Sequence, residues 1–486
     1  MMNDDSQING RWATAEAFYS ERDHRTQLEI RNFHKYVNAP VEIHVSAETA
    51  ECISAQQVAL LAANLTARWA RNIVVFAPDV RLAEPLRRQG DEYLSARIHR
   101  EMHEADPFGE FVIQRTPSYH PASLRLFVGQ PSTSQELNEC DYVIDASGWS
   151  AIGYRGNSAL PKTPHIDAFG SAAALAAAIG AGDLFKRAIG HAPKQWLRSI
   201  RWCTWHHMLH DENSCGGHPP LPDYIDLGNL LIAGVGAVGS ALLYILGLSE
   251  CRGRVTLLDR DCIETSNLNR SPLFTAVHAA LGMNKTEVGK QFLEGLDIET
   301  NVVQGTWREH GANLSAQSFD VWVSLTNEDG AWAEVPFQLP PVVIHGTTTS
   351  GWGIGCGRHI PKIEDCTSCR LPRPHAEFRG PCSEGDVASP NQVEQVRASL
   401  PFLSAAAAAL VAIELVKLDL PNVTALPNSV SADFATGLQT LIAVSFGPTA
   451  GCRGCEMASL PLWNERGGRG RYAQLSIDGS SERKVA

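Results

Sequence analysis

Apolar residues at alternating or continuous spacing predict alternating strands and helices in the first 190 residues. A short alternating run is typical of a strand, and a continuous apolar run is typical of a strand buried in a parallel sheet. Ser54 is placed to cap a helix between the first two strands, and a long Ala-rich helix closes the segment. The predicted strands are Val41–Ser46, Asn72–Ala77, Leu124–Gly129 and Asp141–Ala146, and the Ala-rich helix is Ser171–Gly190. We therefore expect residues 1–190 to form one α/β domain.

The same order of elements recurs in the second half of the chain. A strand, a Gly-rich turn, a helix and another strand follow from Asn229, and each half ends in an Ala-rich helix that finishes near a lysine, Lys186 or Lys417. This likeness predicts an internal duplication. The predicted elements are strands Leu230–Ala233, Arg254–Leu258, Val321–Leu325 and Val342–His345, the turn 234–239, helix Ser240–Leu248, and a helix capped by Ser404 that ends at Lys417. We expect a second domain over residues 229–462 and a flexible tail over 463–486.

Residues 191–228 are expected to connect the two domains, because three prolines and a Gly-Gly pair mark a loop there. The segment includes the cysteines and histidines Cys203, His206, His207, His210, Cys215 and His218, which are potential metal ligands. Their spacing matches no standard metal-binding pattern. Trp202, Trp205 and Met208 recur every three residues, which favours the buried face of a short helix. The sequence therefore predicts structural residues here and no metal site.

Composition and charge limit the class of protein. Of the 486 residues 44% are hydrophobic and 19% are charged, which excludes a disordered, collagen-like or coiled-coil chain. The net charge of −12 argues against nucleic-acid binding and against an anionic membrane surface. No run reaches about 18 apolar residues, and the first residues lack the cationic and apolar regions of a secretory signal. We expect a cytoplasmic protein whose cysteines are reduced, with neither a nucleic-acid nor a membrane partner.

A glycine-rich turn is the first sign of chemistry. Gly234, Gly236 and Gly239 form a G-x-G-x-x-G pattern between a predicted strand and a predicted helix. Such a turn lets phosphate approach backbone amides and the helix N-terminus. Asp259 ends the next strand, where a carboxylate is placed to bind ribose hydroxyls. The pattern fits an ATP site and a dinucleotide site equally well, whereas the first half has Ala47–Ala50 at this place and is not expected to bind a nucleotide.

Further motifs separate these two interpretations. Ser266-Asn267-Leu268-Asn269-Arg270 and Gly282-Met283-Asn284-Lys285 follow Asp259, and two C-x-x-C pairs come later. With this ordered set, residues 225–456 resemble the ubiquitin-activating (ThiF/MoeB-like) adenylyltransferase family. The resemblance implies ATP as the nucleotide, with Asn267, Arg270 and Lys285 contacting its phosphates and the adenylate. The chemistry agrees, because adenylating a carboxylate requires positioning and positive charge on the phosphoryl oxygens.

The two C-x-x-C pairs predict a structural zinc site. Cys366, Cys369, Cys452 and Cys455 supply four thiolates, the ligands of a closed tetrahedral zinc. Because four protein ligands leave no open coordination position, this zinc is expected to stabilise the fold and to take no part in catalysis.

Cys382 is the candidate catalytic nucleophile. It lies in a segment with Pro and Gly on both sides, which predicts a loop, and about 372–400 is expected to form a catalytic-cysteine loop. The resemblance places the thiol that accepts the activated carrier here. A cysteine near Arg379 can form the thiolate that is the reactive species.

One position departs from the family's pattern. Where the family has an aspartate that holds Mg²⁺, this chain has Asn327, a neutral ligand. Magnesium prefers carboxylate oxygens, so Glu328 or Asp329 replaces Asn327 as ligand, or Asn327 binds the ion weakly, or the chain adenylates poorly.

The sequence thus predicts an α/β protein with two Rossmann-like adenylation-type domains, the N-terminal one degenerate. The resemblance implies that ATP and the C-terminal glycine of a ubiquitin-like protein give an acyl-adenylate, which Cys382 converts into a thioester for a conjugating enzyme. It also suggests a bacterial antiphage conjugation operon, and either a pseudo-dimer within the chain or a homodimer. Whether an N-terminal arginine such as Arg22 reaches the ATP stays open at this point.

Three alternatives stay open at this point. A sulphur-carrier adenylyltransferase of the thiamin or molybdopterin type shares the first step, but the long N-terminal half argues against it. An NAD-dependent oxidoreductase shares the glycine turn and Asp259, but it has no use for Arg270, Lys285 and the zinc. A non-catalytic scaffold that binds a nucleotide is compatible with Asn327.

Overall fold

The computed structural model describes residues 8, 10–30, 33–87, 92–156, 167–168, 170–210, 215–326, 331–349, 351–370 and 400–476. These residues form two mixed α/β sheets of eight strands each. The predicted Rossmann-like α/β fold class is therefore confirmed.

The first sheet is built from residues 41–210. Its strands are β1 Val41–Val45, β2 Asn72–Phe76, β3 Glu110–Gln114, β4 Leu124–Val128, β5 Tyr142–Ser147, β6 Ser150–Arg155, β7 Ile200–Cys203 and β8 Met208–His210. They lie in the order β3-β2-β1-β4-β5-β6-β7-β8. The first five in this order are parallel, and β6, β7 and β8 extend the sheet in antiparallel pairing. The four strands predicted in this half are β1, β2, β4 and β5.

The second sheet repeats this topology. Its strands are β9 Ile225–Ala233, β10 Cys251–Asp259, β11 Asp297–Gln304, β12 Val321–Ser324, β13 Val342–Thr349, β14 Gly353–His359, β15 Ser429–Asp433 and β16 Leu441–Val444. Their order, β11-β10-β9-β12-β13-β14-β15-β16, is the order of the first sheet with each number raised by eight. The same strands are parallel and antiparallel. The predicted duplication is therefore confirmed at the level of strand order.

The helices cover the faces of the two sheets. They are Ala15–Arg22, His24–Glu29, Phe33–Tyr36, Ile53–Ala67, Leu94–Ala105, Ser134–Glu139, Gly170–Ala188, Ala237–Gly247, Ala276–Ala280, Lys285–Leu293, Trp307–Ser315, Ala331–Glu334, Thr367–Arg370, Pro401–Lys417, Arg453–Met457 and Pro461–Glu465. The Ala-rich helices Gly170–Ala188 and Pro401–Lys417 pack against each other. Their small side chains let the two backbones approach closely, and one hydrophobic core continues through both halves.

Two helix starts differ from the sequence prediction. The helix expected to be capped by Ser54 begins at Ile53 with Cys52 as its N-cap, and the helix expected to be capped by Ser404 begins at Pro401. Cys52 and Leu400 have the extended backbone of a capping position, so both serines lie inside the first turn. Pro401 suits the first position of its helix, because an N–H at that position has no partner within the helix.

The connection between the sheets is also different from the prediction. Instead of a short helix, residues 200–210 form the hairpin β7–β8, and His207 in its turn has a φ of 52°. Trp202 and Trp205 are buried, but Met208 is 52% exposed. Apolar residues that recur every three positions over only seven residues fit a strand followed by a turn as well as they fit a helix.

Side chains fill the crevice at the carboxyl ends of β1 and β4. A Cβ atom on Gly129, the residue after β4, would lie 2.1 Å from Oγ1 of Thr49 and 3.0 Å from Cβ of Ser46. The hydroxyl of Ser46 also donates to the carbonyl of Gln130 at 2.7 Å. This packing supports the expectation that the first half offers no bare backbone to a phosphate.

Part of the predicted tail is described, and it folds against the second sheet's half. Trp463 is buried and its Nε1 donates to the carbonyl of Pro340 at 2.9 Å, while the Tyr472 hydroxyl donates to Asp419 at 2.8 Å. Residues 477–486 lie outside the described part of the chain. Within the described ranges, none of the helices combines the length and the apolar character that crossing a membrane requires.

Candidate functional site

The glycine turn lies where the order of the second sheet reverses, between β9 and β12. Gly234 follows β9 with a φ of +99°, and a Cβ atom there would lie 2.7 Å from the backbone of Leu325 and of Thr326. A Cβ atom on Gly239 would lie 2.1 Å from the carbonyl oxygen of Gly234. Gly236 is different, because a Cβ atom on it would meet no atom within 4 Å. Two glycines thus allow the tight turn, and the third leaves open space beside the backbone.

Asp259 supports this turn from the end of β10. One carboxylate oxygen accepts a hydrogen bond from the backbone N–H of Val235 at 2.7 Å, and the other accepts from Asp261 N–H at 2.9 Å. Asp259 is half-buried. A carboxylate has further lone pairs that can accept hydrogen bonds. Asp259 can therefore hold the turn and also bind ribose hydroxyls, as the sequence predicts.

Lys285 lies at the start of helix Lys285–Leu293 and is buried to 7% exposure. Its Nζ donates to Asp261 at 2.8 Å. Burial alone would raise the pKa of Asp261, but the hydrogen bond and charge of Lys285 outweigh burial and lower it. The Asp261 carboxylate therefore favours its charged form, and it holds the ammonium of Lys285 from a position two residues after Asp259, which supports the glycine turn.

Arg270 is a second buried cation, in the segment that follows β10. Its NH1 donates to the carbonyl of Ser266 at 2.5 Å and to the side-chain oxygen of Asn269 at 2.9 Å. Burial, and then repulsion by Arg25, lower the pKa of Arg270 to about 9. Both effects disfavour the charged form of Arg270, and a bound anion would oppose them.

The first half of the chain contributes directly to this region. The Thr265 hydroxyl donates to Glu21 at 2.8 Å, and Asn269 donates to the hydroxyl of Thr26 at 2.8 Å. Arg22 itself is fully buried and pairs with Asp23 and Asp106 at 2.7 and 2.6 Å. Arg25 rather than Arg22 is thus the N-terminal arginine that acts on this region, which sequence reasoning missed because the two arginines are only three residues apart on consecutive short helices.

Asn267 has a local structural contact. Its side-chain oxygen accepts from the backbone N–H of Glu264 at 3.0 Å, and the residue is buried to 9% exposure. This capping-box contact holds the short turn that also positions Arg270, whose N–H donates to the Asn267 carbonyl at 3.2 Å. The side-chain amide nitrogen of Asn267 is the group left to donate to a ligand.

The four cysteines of the two C-x-x-C pairs lie together. The Sγ atom of Cys366 is 3.7 Å from those of Cys369 and Cys452, and the Sγ atoms of Cys369 and Cys455 are 3.3 Å apart. Tetrahedral thiolate ligands at about 2.3 Å from zinc have edges of roughly 3.8 Å, so the cluster fits the ion. The predicted four-cysteine cluster is therefore present, and it joins helix Thr367–Arg370 to helix Arg453–Met457.

Several predicted residues cannot be placed. Cys382, Asn327, Glu328 and Asp329 lie outside the described residues. Among the other cysteines, Cys356 on β14 is 3% exposed, and burial raises the pKa of its thiol far above the usual value. A protonated, buried thiol is a poor nucleophile, which argues against Cys356 as a reactive cysteine.

A second cluster of metal-ligand residues was missed by the sequence interpretation. Cys203, His206, Cys215 and His218 bring their ligand atoms within 4.8 Å of one another. The correction follows from the hairpin β7–β8, which turns the chain back on itself where a helix was expected. The signal in the sequence was the repeated C-x-x-H spacing, once at 203–206 and once at 215–218.

Comparisons with known proteins agree with the second sheet's architecture. Residues 225–433 match the model of the ThiF family, so this part of the chain is a ThiF family domain. The chain is 29% identical over 185 residues to an uncharacterized protein, y4jF, of Sinorhizobium fredii, covering 37% of this chain and 35% of that protein. It is 28% identical over 172 residues to the adenylyltransferase and sulfurtransferase UBA4 of Saccharomyces cerevisiae, covering 33% of this chain and 37% of that protein.

The chain therefore spans little more than a third of the length of these curated relatives. Among solved structures, Escherichia coli MccB crystallised with ATP is similar at 18% identity and a TM-score of 0.37, covering 47% of this chain and 67% of that chain. That likeness is too weak to carry an argument about function.

Proposed function

We propose that this protein is an ATP-dependent adenylyltransferase that activates the C-terminal carboxylate of a ubiquitin-like protein. The observation that carries the proposal is the bare turn at Gly236. Asp259 holds this turn and also accepts the N–H of Asp261, whose carboxylate pairs with the buried cation Lys285. The ThiF family match and the identity to an adenylyltransferase support it.

The first step is attack of the carboxylate oxygen on the α-phosphorus of ATP. A new P–O bond forms, the bond from the α-phosphorus to the bridging oxygen breaks, and pyrophosphate leaves with that oxygen. The phosphoryl oxygens carry the charge in the transition state, and fixed cations stabilise it without any strong base. Arg270 suits bidentate contact with a phosphate, and Lys285 supplies a point charge. Magnesium would accompany the ATP, with Asn327, Glu328 and Asp329 as its candidate ligands.

The second step is assigned to Cys382 from the sequence alone. Its thiolate attacks the acyl carbon of the adenylate, a thioester bond forms, and AMP leaves with the C–O electrons. The thioester is then the donor for the cysteine of a conjugating enzyme. The four-cysteine cluster of Cys366, Cys369, Cys452 and Cys455 would hold zinc to stabilise the fold, and the first half would act as a non-binding partner of the second.

ATP–pyrophosphate exchange in the presence of ubiquitin-like proteins that end in glycine tests the first step. Arg270→Ala and Lys285→Ala are expected to lower the exchange rate by about 10²–10³-fold, the scale for losing one charge-stabilising group. Lys290→Ala is the matched control, because Lys290 lies on the same helix as Lys285 but away from its N-terminus. Full exchange in both site variants would contradict the assignment.

A non-reducing gel separates the second step from the first. Cys382→Ala is expected to keep pyrophosphate exchange near the wild-type level and to lose the reductant-sensitive band that joins the protein to its carrier. Cys262→Ser is the control, since Cys262 is exposed and lies outside both cysteine clusters. A conjugate that persists in Cys382→Ala would move the acceptor role to another thiol.

A further inference from the structure

The hairpin β7–β8 and the segment that leads to β9 bring two cysteines and two histidines together. The Sγ atom of Cys203 lies 3.6 Å from Nδ1 of His206 and 3.2 Å from Nε2 of His218. The Sγ atom of Cys215 lies 3.2 Å from Nδ1 of His206 and 3.0 Å from Nε2 of His218. Each thiol thus lies next to both imidazoles. In a tetrahedral site with two sulphur and two nitrogen ligands, each sulphur likewise lies next to both nitrogens. From this geometry we infer that Cys203, His206, Cys215 and His218 bind a second zinc ion, separate from the four-cysteine site.

The distances fit this ion. Zinc–sulphur bonds of about 2.3 Å and zinc–nitrogen bonds of about 2.0–2.1 Å give tetrahedral edges of roughly 3.3–3.8 Å. The edge of 3.6 Å lies in this range, and the other three, at 3.0–3.2 Å, are slightly shorter, so a small outward movement of side chains brings them to it. Two thiolates and two neutral imidazoles also balance the double positive charge of zinc, which favours a partly buried site. Soft thiolates combined with imidazoles in this geometry select zinc over the hard cations magnesium and calcium.

Hydrogen bonds among these four side chains explain their close approach less well than a shared zinc ion does. A thiol is a weak donor with one proton, and a neutral imidazole has one donor nitrogen. The Sγ atom of Cys203 already accepts the backbone N–H of His206 at 3.4 Å. Four mutually facing sulphur and nitrogen atoms at 3.0–3.6 Å are therefore better joined by one cation than by weak thiol hydrogen bonds.

The surrounding backbone holds both ligand pairs in place. Thr204, next to Cys203, donates its N–H and its hydroxyl to the carbonyl of Trp149 at 2.8 Å. The indole Nε1 of Trp149 donates to the carbonyl of Pro219, next to His218, at 2.9 Å. Trp149 thus connects the two halves of the cluster from outside, as expected for a site whose ligands are positioned before the ion binds.

The role of the site follows from its position. With four protein ligands it has no open coordination place, so the ion is structural. It would tie the turn after β7 to the segment that enters the second sheet. His207, the neighbour of a ligand, contacts Glu414 and Lys417 of helix Pro401–Lys417 at 2.8 Å each. The ion therefore would fix a turn through which the two halves of the chain contact each other.

Metal analysis of the full chain, purified without chelators, tests this inference. We expect about two zinc ions per chain, one for each cluster. Cys215→Ser and His218→Ala are each expected to lower this to about one, and Cys452→Ser to lower it independently of them. Cys262→Ser and His99→Ala are the controls, because both residues are exposed and lie outside the clusters. A wild-type content of about one zinc that neither Cys215→Ser nor His218→Ala changes would overturn the second site.

Zinc X-ray absorption on the wild-type protein gives an answer even where a variant does not fold. Two occupied sites predict an average of about three sulphur and one nitrogen ligands per zinc, at about 2.3 and 2.0–2.1 Å. An average of four sulphur ligands and no nitrogen would show that only the four-cysteine site binds zinc, and it would overturn the inference. Because neither measurement uses ATP or a carrier, failure here is independent of the proposed adenylation.

Discussion

Lys186 and Lys417 occupy matching places at the ends of the two Ala-rich helices, and each reaches into the other half of the chain. The Nζ atom of Lys186 donates to the carbonyls of Phe434 and Ala435, just after β15. The Nζ atom of Lys417 lies 2.8 Å from Nε2 of His207, just after β7. Because β7 and β15 hold equivalent places in their sheets, the two contacts are related as across a two-fold axis. The halves therefore contact each other reciprocally, as two similar subunits do.

The Lys417 end of this contact is a buried charge network that we expect to be essential for stability. Glu414 pairs with Lys417 at 2.7 Å and with Arg358 at 2.6 Å, and these cations outweigh burial and lower the pKa of Glu414. Glu414→Gln leaves buried Lys417 without its carboxylate partner and leaves Arg358 with Glu364 alone, and it is expected to lower the free energy of unfolding by about 3–5 kcal/mol. Urea denaturation followed by tryptophan fluorescence measures this change.

The control for this variant is an ion pair of the same chemistry at the surface. Arg254 and Glu299 are 3.0 Å apart on neighbouring strands, with side chains 52% and 61% exposed. Glu299→Gln is expected to change the free energy of unfolding by less than about 1 kcal/mol. Equal effects of the two substitutions would show that the buried network contributes no more to the free energy of unfolding than the surface pair does.

Much of the fold could be predicted from the sequence because its signals are local. The strands β1, β2, β9 and β10 are apolar runs, and the glycine turn after β9 has a fixed spacing. The hairpin β7–β8 could not be predicted, since a three-residue recurrence over seven positions suits a helix as well. The cluster of two cysteines and two histidines depends on that hairpin, which brings Cys203 and Cys215 together across twelve positions. The contacts of Thr265 with Glu21 and of Asn269 with Thr26 come from packing of the two halves, which no local pattern encodes.

Substitutions at Gly236 and Gly239 are expected to separate an effect on nucleotide binding from an effect on stability. Gly236 has an ordinary φ of −79° and open space around its missing Cβ, so Gly236→Ala is expected to keep the melting temperature. The added methyl group projects where the phosphate is proposed to lie, and we expect ATP binding to weaken by about tenfold or more. Calorimetric titration with ATP measures the affinity.

Gly239→Ala is the matched variant with the opposite expectation. Its methyl group would lie 2.1 Å from the Gly234 carbonyl oxygen, so the backbone must move and the melting temperature is expected to fall. If Gly236→Ala bound ATP as tightly as the wild type, the phosphate site would lie elsewhere.

Zinc in the four-cysteine cluster is expected to contribute to folding of the C-terminal part. Cys452→Ser removes one of four ligands, and we expect it to release about one zinc ion and lower the melting temperature. Excess chelator is expected to destabilise the wild type in the same direction. Cys262→Ser is the control for loss of a thiol alone. A protein that keeps its melting temperature after this zinc has been removed would contradict this role.

Arg25 is expected to support ATP binding from the first half. Its charge contributes to lowering the pKa of Arg270, and its helix contacts the segment of Arg270 through the hydrogen bond from Asn269 to Thr26 at 2.8 Å. Arg25→Ala is expected to weaken ATP binding by about tenfold. Arg115→Ala is the control, because Arg115 is 77% exposed and pairs with Asp79. An unchanged affinity in Arg25→Ala would limit the nucleotide site to the second half.

His278 is expected to make the stability of the protein depend on pH. It lies in the capping box of helix Ala276–Ala280, where Nδ1 accepts the backbone N–H of Thr275 at 3.2 Å. Burial lowers the pKa of His278 to about 4, against about 6.5 in an unfolded chain. Between these values the unfolded chain binds a proton that the folded protein does not bind. The contribution of neutral His278 is therefore complete above pH of about 6.5 and is lost as the pH falls towards 4, by about 3 kcal/mol in total.

Comparison with His278→Gln isolates this residue from the other titrating groups. Glutamine also accepts the Thr275 N–H at the third helical position but binds no proton, so the slope of the free energy of unfolding against pH is expected to be shallower between pH 5 and 6. The difference in slope between wild type and variant is expected to approach about 1.4 kcal/mol per pH unit. His99→Gln is the control, because His99 is exposed. Parallel slopes for the wild type and His278→Gln would show that His278 is protonated equally in the folded and unfolded states.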